Sequence, residues 1–277
     1  MNILQKICDN KKNEIIYDKS KYSINTLEKL TKIEPNIGFS KLLLNKNKNK
    51  QNNIIGEIKK TSPSAGNIIK NYNPVEIASL YKNAGINALS VLTEKKYFEG
   101  ELEHISLIKK SIKLPILRKD FIIDPYQVIQ SKYYKADAIL IIMSILSFEQ
   151  AKEIVDTAKK YKLDTLIEIH DKSEINNALK LESLIIGINN RNLKTLETNL
   201  DNIEYLSKEI PKKFTIVAES GIKNKNDIKF CNKCGIYNFL IGESLLKSKN
   251  ITTKVGELLW KKKIYHILKK IFQKLLI

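Results

Sequence analysis

Residues 138–142 read Ala138-Ile-Leu-Ile-Ile142, a run without a polar position. A short run of this kind, rich in β-branched residues, is typical of a strand buried on both faces of a parallel sheet. Seven similar runs lie along the chain: Ile54-Ile-Gly-Glu-Ile58, Ala88-Leu-Ser-Val-Leu92, Pro115-Ile-Leu-Arg118, Thr165-Leu-Ile-Glu-Ile169, Leu184-Ile-Ile-Gly-Ile188, Thr215-Ile-Val-Ala218 and Asn238-Phe-Leu-Ile241. Amphipathic, helix-like stretches separate the runs, so the sequence predicts eight strand–helix units.

Eight such units fit either a closed barrel or a large doubly wound sheet. Polar and potentially reactive residues follow the strands all around the series, which favours a barrel because its strand ends converge on one mouth. Asn73-Pro74 and Asp124-Pro125 predict helix starts, and Gly85 and Gly235 predict helix ends. We therefore expect an α/β fold of the (β/α)8 barrel type.

The barrel is expected to span residues 51–250, between two extensions of different character. Residues 1–50 predict helices at 3–16 and 26–32, and the polar stretch 45–53 predicts a mobile linker. Residues 251–277 include a basic amphipathic helix from position 255 onward, which either packs on the barrel wall or lies on a membrane surface or partner. No apolar run approaches the roughly 20 residues needed to cross a bilayer, so we expect no stable membrane insertion.

The formal net charge of +18 suggests a nucleic-acid binder. However, the basic residues are spread along the chain, and Arg118 and Arg191 are the only arginines. Interfaces that read bases favour arginine over lysine because of its bidentate fork. The joint abundance of Lys, Asn and Ile is what an AT-biased genome would encode. We therefore attribute the charge to composition and expect no specific nucleic-acid partner.

The three cysteines are Cys8, Cys231 and Cys234, which do not make a disulfide framework and suit a reducing compartment. The start of the chain lacks the pattern of a signal peptide, so we expect a cytoplasmic protein. Cys231 and Cys234 form a C-x-x-C pair, but no second pair of Cys or His supplies the other ligands of a zinc site. We interpret them as ordinary residues at the end of a helix and predict no metal.

Charged side chains stand at the ends of several predicted strands. Glu57 and Lys59 share one face of the first strand, because side chains alternate along a strand. Opposite charges inside a barrel are costly unless they neutralise each other or meet a charged ligand, so a structural ion pair and a binding role both stay open. Lys119 is placed at the mouth to donate a proton, and Glu168 shares a face with His170.

Other loops at the strand ends suit anions. Arg191 is a candidate clamp for a carboxylate. The loop at residues 62–66, Ser-Pro-Ser-Ala-Gly, exposes hydroxyl and backbone N–H groups. Small residues follow the last two strands at Ser220-Gly221 and Gly242, each leading into a helix start, which is the usual phosphate site of barrels of this kind. The sequence therefore predicts a phosphorylated small-molecule substrate.

Motifs that follow the predicted strands in order, over about residues 50 to 250, resemble indole-3-glycerol-phosphate synthases. They are Glu57-Ile-Lys-Lys-Thr-Ser-Pro-Ser64, Ser90-Val-Leu-Thr-Glu94 with Tyr97-Phe98, Leu117-Arg-Lys-Asp-Phe121, Leu166-Ile-Glu168, Ile186-Gly-Ile-Asn-Asn-Arg-Asn-Leu193, Ala218-Glu-Ser-Gly-Ile222 and Leu240-Ile-Gly242. One departure is Asn36-Ile-Gly-Phe39, where the family carries a basic residue before the Phe. The resemblance implies a cofactor-free carboxy-lyase of tryptophan biosynthesis that converts 1-(2-carboxyphenylamino)-1-deoxyribulose 5-phosphate into indole-3-glycerol phosphate, carbon dioxide and water.

The resemblance also implies a role for each matching catalytic residue. Lys119 would protonate the substrate carbonyl during ring closure, and Glu168 would be the base for the later dehydration. Glu57 and Asn189 would hydrogen-bond the reacting hydroxyls, and Lys59 would position anionic groups and the acid. A lysine works best as an acid when its pKa approaches neutrality, and we expect surrounding cations to lower the pKa of Lys119.

The resemblance further divides the binding residues into three groups. Ser62 and Arg191 would contact the anthranilate carboxylate and its surroundings. The phosphate pocket would be lined by Ser220, Gly221, Gly242 and Ser244. The apolar slot for the benzene ring would be made by Phe98, Phe121, Leu140, Ile142 and Leu193.

Two alternatives stay open. A phosphoribosylanthranilate isomerase is also a phosphate-binding barrel, but its chemistry needs a Cys near the end of the first strand acting with an Asp, where this chain has Glu57 and Lys59. A non-catalytic basic barrel would bind anions or nucleic acid with steep salt dependence and no turnover. For partners, we expect a monomer with at most weak association with other enzymes of the pathway.

Overall fold

A computed structural model describes residues 3–192 and 195–259 of the chain. The helices are α1 (Ile3–Lys21), α2 (Ile24–Leu30), α3 (Phe39–Lys48), α4 (Pro74–Asn83), α5 (Glu103–Ser111), α6 (Pro125–Tyr133), α7 (Phe148–Lys160), α8 (Lys172–Ala178), α9 (Asp201–Ser207), α10 (Lys225–Lys233), α11 (Glu243–Leu246) and α12 (Ile251–Leu259). The strands are β1 (Asn53–Ile58), β2 (Thr61–Ser62), β3 (Gly66–Asn67), β4 (Ala88–Leu92), β5 (Ile116–Lys119), β6 (Ala138–Ile142), β7 (Asp164–Ile169), β8 (Ile185–Asn189), β9 (Thr215–Glu219) and β10 (Asn238–Ile241).

Strands β1 and β4 to β10 close into a barrel with the order β1-β10-β9-β8-β7-β6-β5-β4. Every neighbouring pair in the barrel is parallel. The predicted (β/α)8 fold is therefore confirmed, and each predicted strand end lies within one residue of the observed one. The short antiparallel hairpin β2–β3 in the loop after β1 was not predicted.

The barrel strands bury both of their faces, which explains why their sequences lack polar alternation. One set of side chains fills the barrel interior, including Ile55, Leu117 and Leu166. The intervening side chains, such as Ile54 and Ile167, pack outward against the helices. This strict alternation also decides which residue at each strand end turns toward the mouth.

Local signals set the helix boundaries as expected. Asn73 and Asp124 are the N-caps of α4 and α6, and each is followed by proline in the first turn. Gly85 and Gly235 follow the ends of α4 and α10 with φ of +87° and +79°, a backbone conformation that favours glycine. These four predictions are confirmed.

The C-x-x-C pair lies at a helix end, as predicted: Cys231 is buried in α10 and Cys234 is its C-cap. All three cysteines are free. Within residues 3–192 and 195–259, no group of three or more His, Cys, Asp or Glu side chains could hold a metal ion. In that same part of the chain, no helix is both long and apolar enough to cross a membrane.

The N-terminal extension runs along the barrel from one end to the other. Helix α1 lines the mouth with Ile7, and α1 and α2 both contact α6 on the barrel wall. Helix α3 then covers the opposite end, where Phe39 and Leu43 are fully buried against the barrel interior. The segment Asn36–Phe39, in which the sequence differs from the family pattern, therefore lies at the end of the barrel away from the mouth.

The predicted linker at residues 45–53 is shorter than expected, because only residues 49–52 lie between α3 and β1. Residues 45–48 are the last part of α3, and Asn53 begins β1 with its amide donating to Asn238 Oδ1 at 3.1 Å. The exposed face of α3 is rich in Lys and Asn, so its composition resembles that of a linker. The helix is stabilised instead by the two apolar side chains that it buries under the barrel.

The described part of the C-terminal extension packs on the barrel wall. Val255 and Leu258 of α12 are fully buried, and α12 contacts α4, α10 and α11. This agrees with the predicted packing for residues 251–259. The remainder of the predicted amphipathic helix, residues 260–277, lies outside the described residues.

Candidate active site

A cavity of about 770 Å³ opens at the C-terminal ends of the barrel strands. Every predicted site residue that the structure describes lines it; Leu193 lies outside the described residues. These lining residues are Glu57, Lys59, Ser62, Phe98, Lys119, Phe121, Leu140, Ile142, Glu168, Asn189, Arg191, Ser220, Gly221, Gly242 and Ser244. The structure thus gathers residues that are far apart in sequence around one space.

Strand alternation places the charged residues of the site. Lys119 lies two residues after Leu117, and Glu168 lies two residues after Leu166, whose side chain fills the barrel interior. Because positions i and i+2 share a face, the charged side chains form the last inward layer, above the apolar layers.

Lys119 lies between two buried carboxylates. Its Nζ is 2.6 Å from Glu168 Oε2 and 2.7 Å from Glu219 Oε2. Glu219 was missing from the predicted site, although its motif was noted. The signal was present in the sequence, because Glu219 lies two residues after the inward-facing Val217 at the end of β9.

Two glycines leave the room that the carboxylates occupy. A Cβ added at Gly187 would lie 2.2 Å from Glu219 Oε1, and one added at Gly242 would lie 2.6 Å from Glu57 Oε1. Both distances are far below van der Waals contact. The carboxylates of Glu219 and Glu57 can therefore occupy these positions only because the neighbouring residues are glycines.

The pKa of Lys119 is raised, so the prediction of a lowered pKa is wrong. Burial by itself lowers this pKa, but attraction to Glu168, Glu219 and Glu57 outweighs it. The sequence suggested nearby cations because lysine is abundant, whereas the barrel places anions next to the ammonium group. Lys119 is therefore fully protonated at neutral pH and can act as an acid.

The two carboxylates beside Lys119 differ in their affinity for protons. Burial raises the pKa of Glu168, but Lys119 and then His170 reverse the effect and hold that pKa below its usual range. Burial also raises the pKa of Glu219, and the attraction of Lys119 does not compensate for it because Glu168 adds repulsion. Glu168 is therefore the ionised partner, and Glu219 is the one that more readily holds a proton.

Glu57 and Lys59 form an ion pair inside the mouth, between Lys59 Nζ and Glu57 Oε1. Both side chains are largely buried and both line the cavity. The two roles that the sequence left open are thus compatible, since the pair neutralises itself and still faces the space for a ligand.

The cavity has an apolar wall on the side of β5 and β6. The rings of Phe98 and Phe121 lie with centroids 6.3 Å apart, and Leu140 and Ile142 are buried beside the cavity. Helix α1 completes this lining with Ile3, Leu4 and Ile7, which sequence reasoning did not assign to the site. An aromatic ring fits a wall of this composition.

The opposite side of the cavity is built from the loops after β9 and β10. Ser220 and Gly221 have φ of +60° and +82°, and Gly242 is the N-cap of the short helix α11. Ser244 lies in that first turn, where backbone N–H groups lack helical acceptors. Its hydroxyl donates to Ile222 O at 3.1 Å. The arrangement suits a dianion such as phosphate.

Basic residues surround this polar end. Arg191 Nη1 donates to Leu196 O at 2.7 Å, and its Nη2 lies 3.9 Å from Glu243 Oε2. Lys247 also pairs with Glu243, at 2.7 Å. Because Glu243 is neutralised by these two cations, its charge does little to repel an anion at the rim. Ser62 lies nearby in the loop after β1, and its Oγ accepts from the N–H of Ala65 at 3.2 Å.

The sequence profile of the family described as "Indole-3-glycerol phosphate synthase" matches residues 4–258, which includes the whole barrel and all of the described cavity residues except Ile3. The chain belongs to this family. As a member of it, the chain is an enzyme, and the resemblance seen in the motifs is confirmed.

Curated relatives with this name cover nearly the whole family region. The synthase of Acinetobacter baumannii (strain ATCC 17978) is 40% identical over 247 residues, covering 88% of this chain and 91% of the relative. That of Caldanaerobacter subterraneus subsp. tengcongensis is 44% identical over 245 residues, covering 88% and 93%. That of Acetivibrio thermocellus is 40% identical over 258 residues, covering 92% and 98%.

More distant structures share the fold alone. A crystal structure of 3-hexulose-6-phosphate synthase aligns with a TM-score of 0.60 at 13% identity, covering 75% of this chain and 98% of that one. The structure described as native KDPGal aligns with a TM-score of 0.54 at 12% identity, covering 76% and 94%.

Family membership also weighs against the alternative of a phosphoribosylanthranilate isomerase. The cysteine that this alternative requires is lacking as well, because none of the three cysteines lines the cavity.

Proposed function

We propose that this family member closes the indole ring of indole-3-glycerol phosphate. The substrate is 1-(2-carboxyphenylamino)-1-deoxyribulose 5-phosphate, and carbon dioxide and water are released, which makes the enzyme a carbon–carbon lyase of the carboxy-lyase class. The observation that carries the proposal is the buried triad of Lys119, Glu168 and Glu219. On one side of the triad the cavity has an apolar wall, and on the other side it has the two loops after β9 and β10 that suit a phosphate.

The apolar wall at one side of the cavity and the polar loops at the other orient the bound substrate. The anthranilate ring occupies the wall around Phe98 and Phe121, and its carboxylate faces Ser62 and Arg191. The phosphate lies on the loops around residues 220–221 and 242–244. The ketone carbon is thereby held near the charged layer of the barrel, which converts ring closure into an effectively unimolecular step.

Ring closure requires a proton on the ketone oxygen as the ring carbon attacks the ketone carbon. Lys119 donates this proton, since its raised pKa keeps it charged at neutral pH. Loss of carbon dioxide from the attacked ring carbon then restores the aromatic ring. Glu57 and Asn189 hydrogen-bond the hydroxyl groups and keep the new hydroxyl in position to leave.

Dehydration requires a base and a proton donor. The coupling between Lys119 and Glu168 makes Glu168 a stronger base once ring closure has taken the proton of Lys119. While Lys119 is charged, it holds the pKa of Glu168 low. Once Lys119 has given up its proton, the cation is gone and the proton affinity of Glu168 rises. Glu168 then removes a proton from the carbon next to the ring nitrogen. Lys59, which lies beside Glu57 and balances the anionic groups, donates a proton to the departing hydroxyl, which leaves as water.

Turnover of the purified chain tests the proposal. We expect mixing with the carboxyphenylamino-deoxyribulose phosphate to generate indole absorbance and fluorescence in EDTA-treated buffer, without an added cofactor. Phosphoribosylanthranilate serves as the second substrate, to test for isomerase activity. The absence of indole product under these conditions, with a correctly folded chain, would contradict the proposed function.

A further inference from the structure

His170 is a buried histidine directly behind the charged layer of the site. It follows β7 and precedes Asp171, the N-cap of α8. Its backbone is fixed on both sides: its N–H donates to Glu174 Oε2 at 2.7 Å, and its carbonyl accepts from the Asn202 amide at 3.0 Å. Its side chain is only 10% exposed. The imidazole therefore has a defined position next to the site.

Neither ring nitrogen of His170 has a hydrogen-bond partner, although both are buried. The nearest charged atoms are carboxylate oxygens: Nε2 lies 3.4 Å from Glu168 Oε1, and Nδ1 lies 3.8 Å from Glu174 Oε2. Buried polar atoms without partners are unfavourable, and an imidazolium between two carboxylates gains Coulombic stabilisation that a neutral ring lacks.

Glu168 is thus held from two sides by different cations. Its Oε2 contacts Lys119, which lines the cavity, while its Oε1 faces His170, which does not. Substrate and protons reach Lys119 directly, so the charge of that residue changes during a turnover. His170 does not line the cavity, and its backbone is held by Glu174 and Asn202.

The charged groups facing the imidazole favour its protonated form. They are Glu168 on β7, Glu174 on α8 and Lys119 on β5, with Glu219 of β9 beyond Glu168. Burial lowers the pKa of His170, but the neighbouring carboxylates of Glu174 and Glu168 outweigh it, so the pKa is raised. The geometry and the charge balance point the same way.

We propose that His170 is a positioning residue for Glu168, a second cation that keeps this carboxylate ionised and in place after Lys119 has transferred its proton. The proposal rests on the proposed function, since it assigns the base of that reaction a partner outside the cavity. His170 touches no reacting atom and acts only through Glu168.

A pH profile of kcat tests this role. In His170→Asn we expect the acidic limb of kcat to move upward by about one pH unit, because loss of a nearby cation raises the pKa of Glu168 by that order. KM should change less than about threefold, because His170 does not contact the cavity. His104→Asn is the matched control, because His104 is a partly buried histidine on α5 outside the cavity. The acidic limb of its kcat profile should coincide with that of the unsubstituted chain. His170→Gln is the second variant if His170→Asn does not fold.

A direct titration of the imidazole separates this proposal from the proposed function. The chain has three histidines, so long-range proton–nitrogen NMR spectra can follow each ring, with the His170→Asn spectrum providing the assignment. We expect Glu168→Gln to lower the pKa of His170 by about one unit and to leave His104 unchanged. This readout needs no turnover.

The outcomes are distinct. If the unsubstituted chain makes no indole product, the proposed function fails, while the ring titration still decides whether His170 and Glu168 are coupled. If turnover is normal but the limb of His170→Asn does not move, or if the His170 titration is insensitive to Glu168→Gln, the assignment of His170 is overturned.

Discussion

Lys11 Nζ lies 3.1 Å from Asp120 Oδ1, which joins the N-terminal helix to the residue after β5. Both side chains are almost fully buried, and Asp120 Oδ2 also contacts Arg118 at 2.9 Å and Thr93 at 2.6 Å. One turn before Lys11, Ile7 lines the cavity. We call the cavity-lining residues of α1, Ile3, Leu4 and Ile7, the apolar roof. The ion pair therefore fixes this roof relative to β5, the strand that carries the proposed acid Lys119.

Replacing Lys11 by Met should destabilise the protein and loosen this roof. We expect a loss of about 3 kcal/mol in the free energy of unfolding, since a buried carboxylate loses one of its cations. We expect KM to rise about tenfold, equivalent to about 1.4 kcal/mol of binding. Denaturant unfolding and steady-state kinetics measure both. Lys12→Met is the control, because Lys12 is 62% exposed on the same helix. Equal stability of the two variants would disprove the anchoring role.

The stability of the protein should depend on the ionisation of Asp120. Burial raises the pKa of this carboxyl, but Lys11 and Arg118 outweigh burial and hold it far below its usual range. Because the unfolded chain then binds a proton at higher pH than the folded one, this stabilisation is complete above about pH 4 and is lost as the pH falls further. We expect Asp120→Asn to flatten the fall in unfolding free energy below about pH 4. An unchanged slope would show that other carboxyls dominate acid unfolding.

Lys119→Met and Glu168→Gln should each lower kcat by at least about 10²-fold while the fold survives, as expected for loss of a general acid or base. Single-turnover measurements with saturating enzyme separate the chemical steps from substrate binding. Lys152→Met, on the exposed surface of α7, should retain the full rate. Near-normal rates in both site variants would refute the assigned roles even if the activity itself is present.

Gly187→Ala should impair catalysis more than folding. The new Cβ would lie 2.2 Å from Glu219 Oε1, so the carboxylate must leave its present position beside Lys119. We expect kcat to fall by at least about tenfold, the effect of a displacement near 1 Å in a positioned group. Gly256→Ala in α12 meets no atom within 4 Å and should be neutral or slightly stabilising, by up to about 1 kcal/mol. Thermal unfolding together with kcat tests the contrast, which is lost if both variants behave alike.

Much of the barrel and its mouth could be predicted because the information is local. Apolar runs gave the strands, and caps such as Asn73 and Asp124 gave helix starts. Spacing of two along a strand placed Lys119 and Glu168 on the inward face. The same rule applied to β9 would have found Glu219, which lies two residues after Val217.

Two features depend on contacts between residues distant in sequence, and no local pattern contains them. Helix α3 exists because Phe39 and Leu43 fill the lower end of the barrel, although its polar residues look like a linker. The roof over the mouth depends on the Lys11–Asp120 pair, which joins residues more than a hundred positions apart. Neither pairing can be read from composition.

The sequence by itself determined the barrel, the order of its strands and the family to which the chain belongs, because strand alternation and capping act over a few residues. Only the tertiary structure decided the charge environment of the site. A lysine-rich sequence suggested that cations surround Lys119, yet barrel closure places Glu168 and Glu219 within 2.7 Å of it and raises its pKa. Electrostatic effects depend on distance in space and on burial, and both are fixed only when the strands meet.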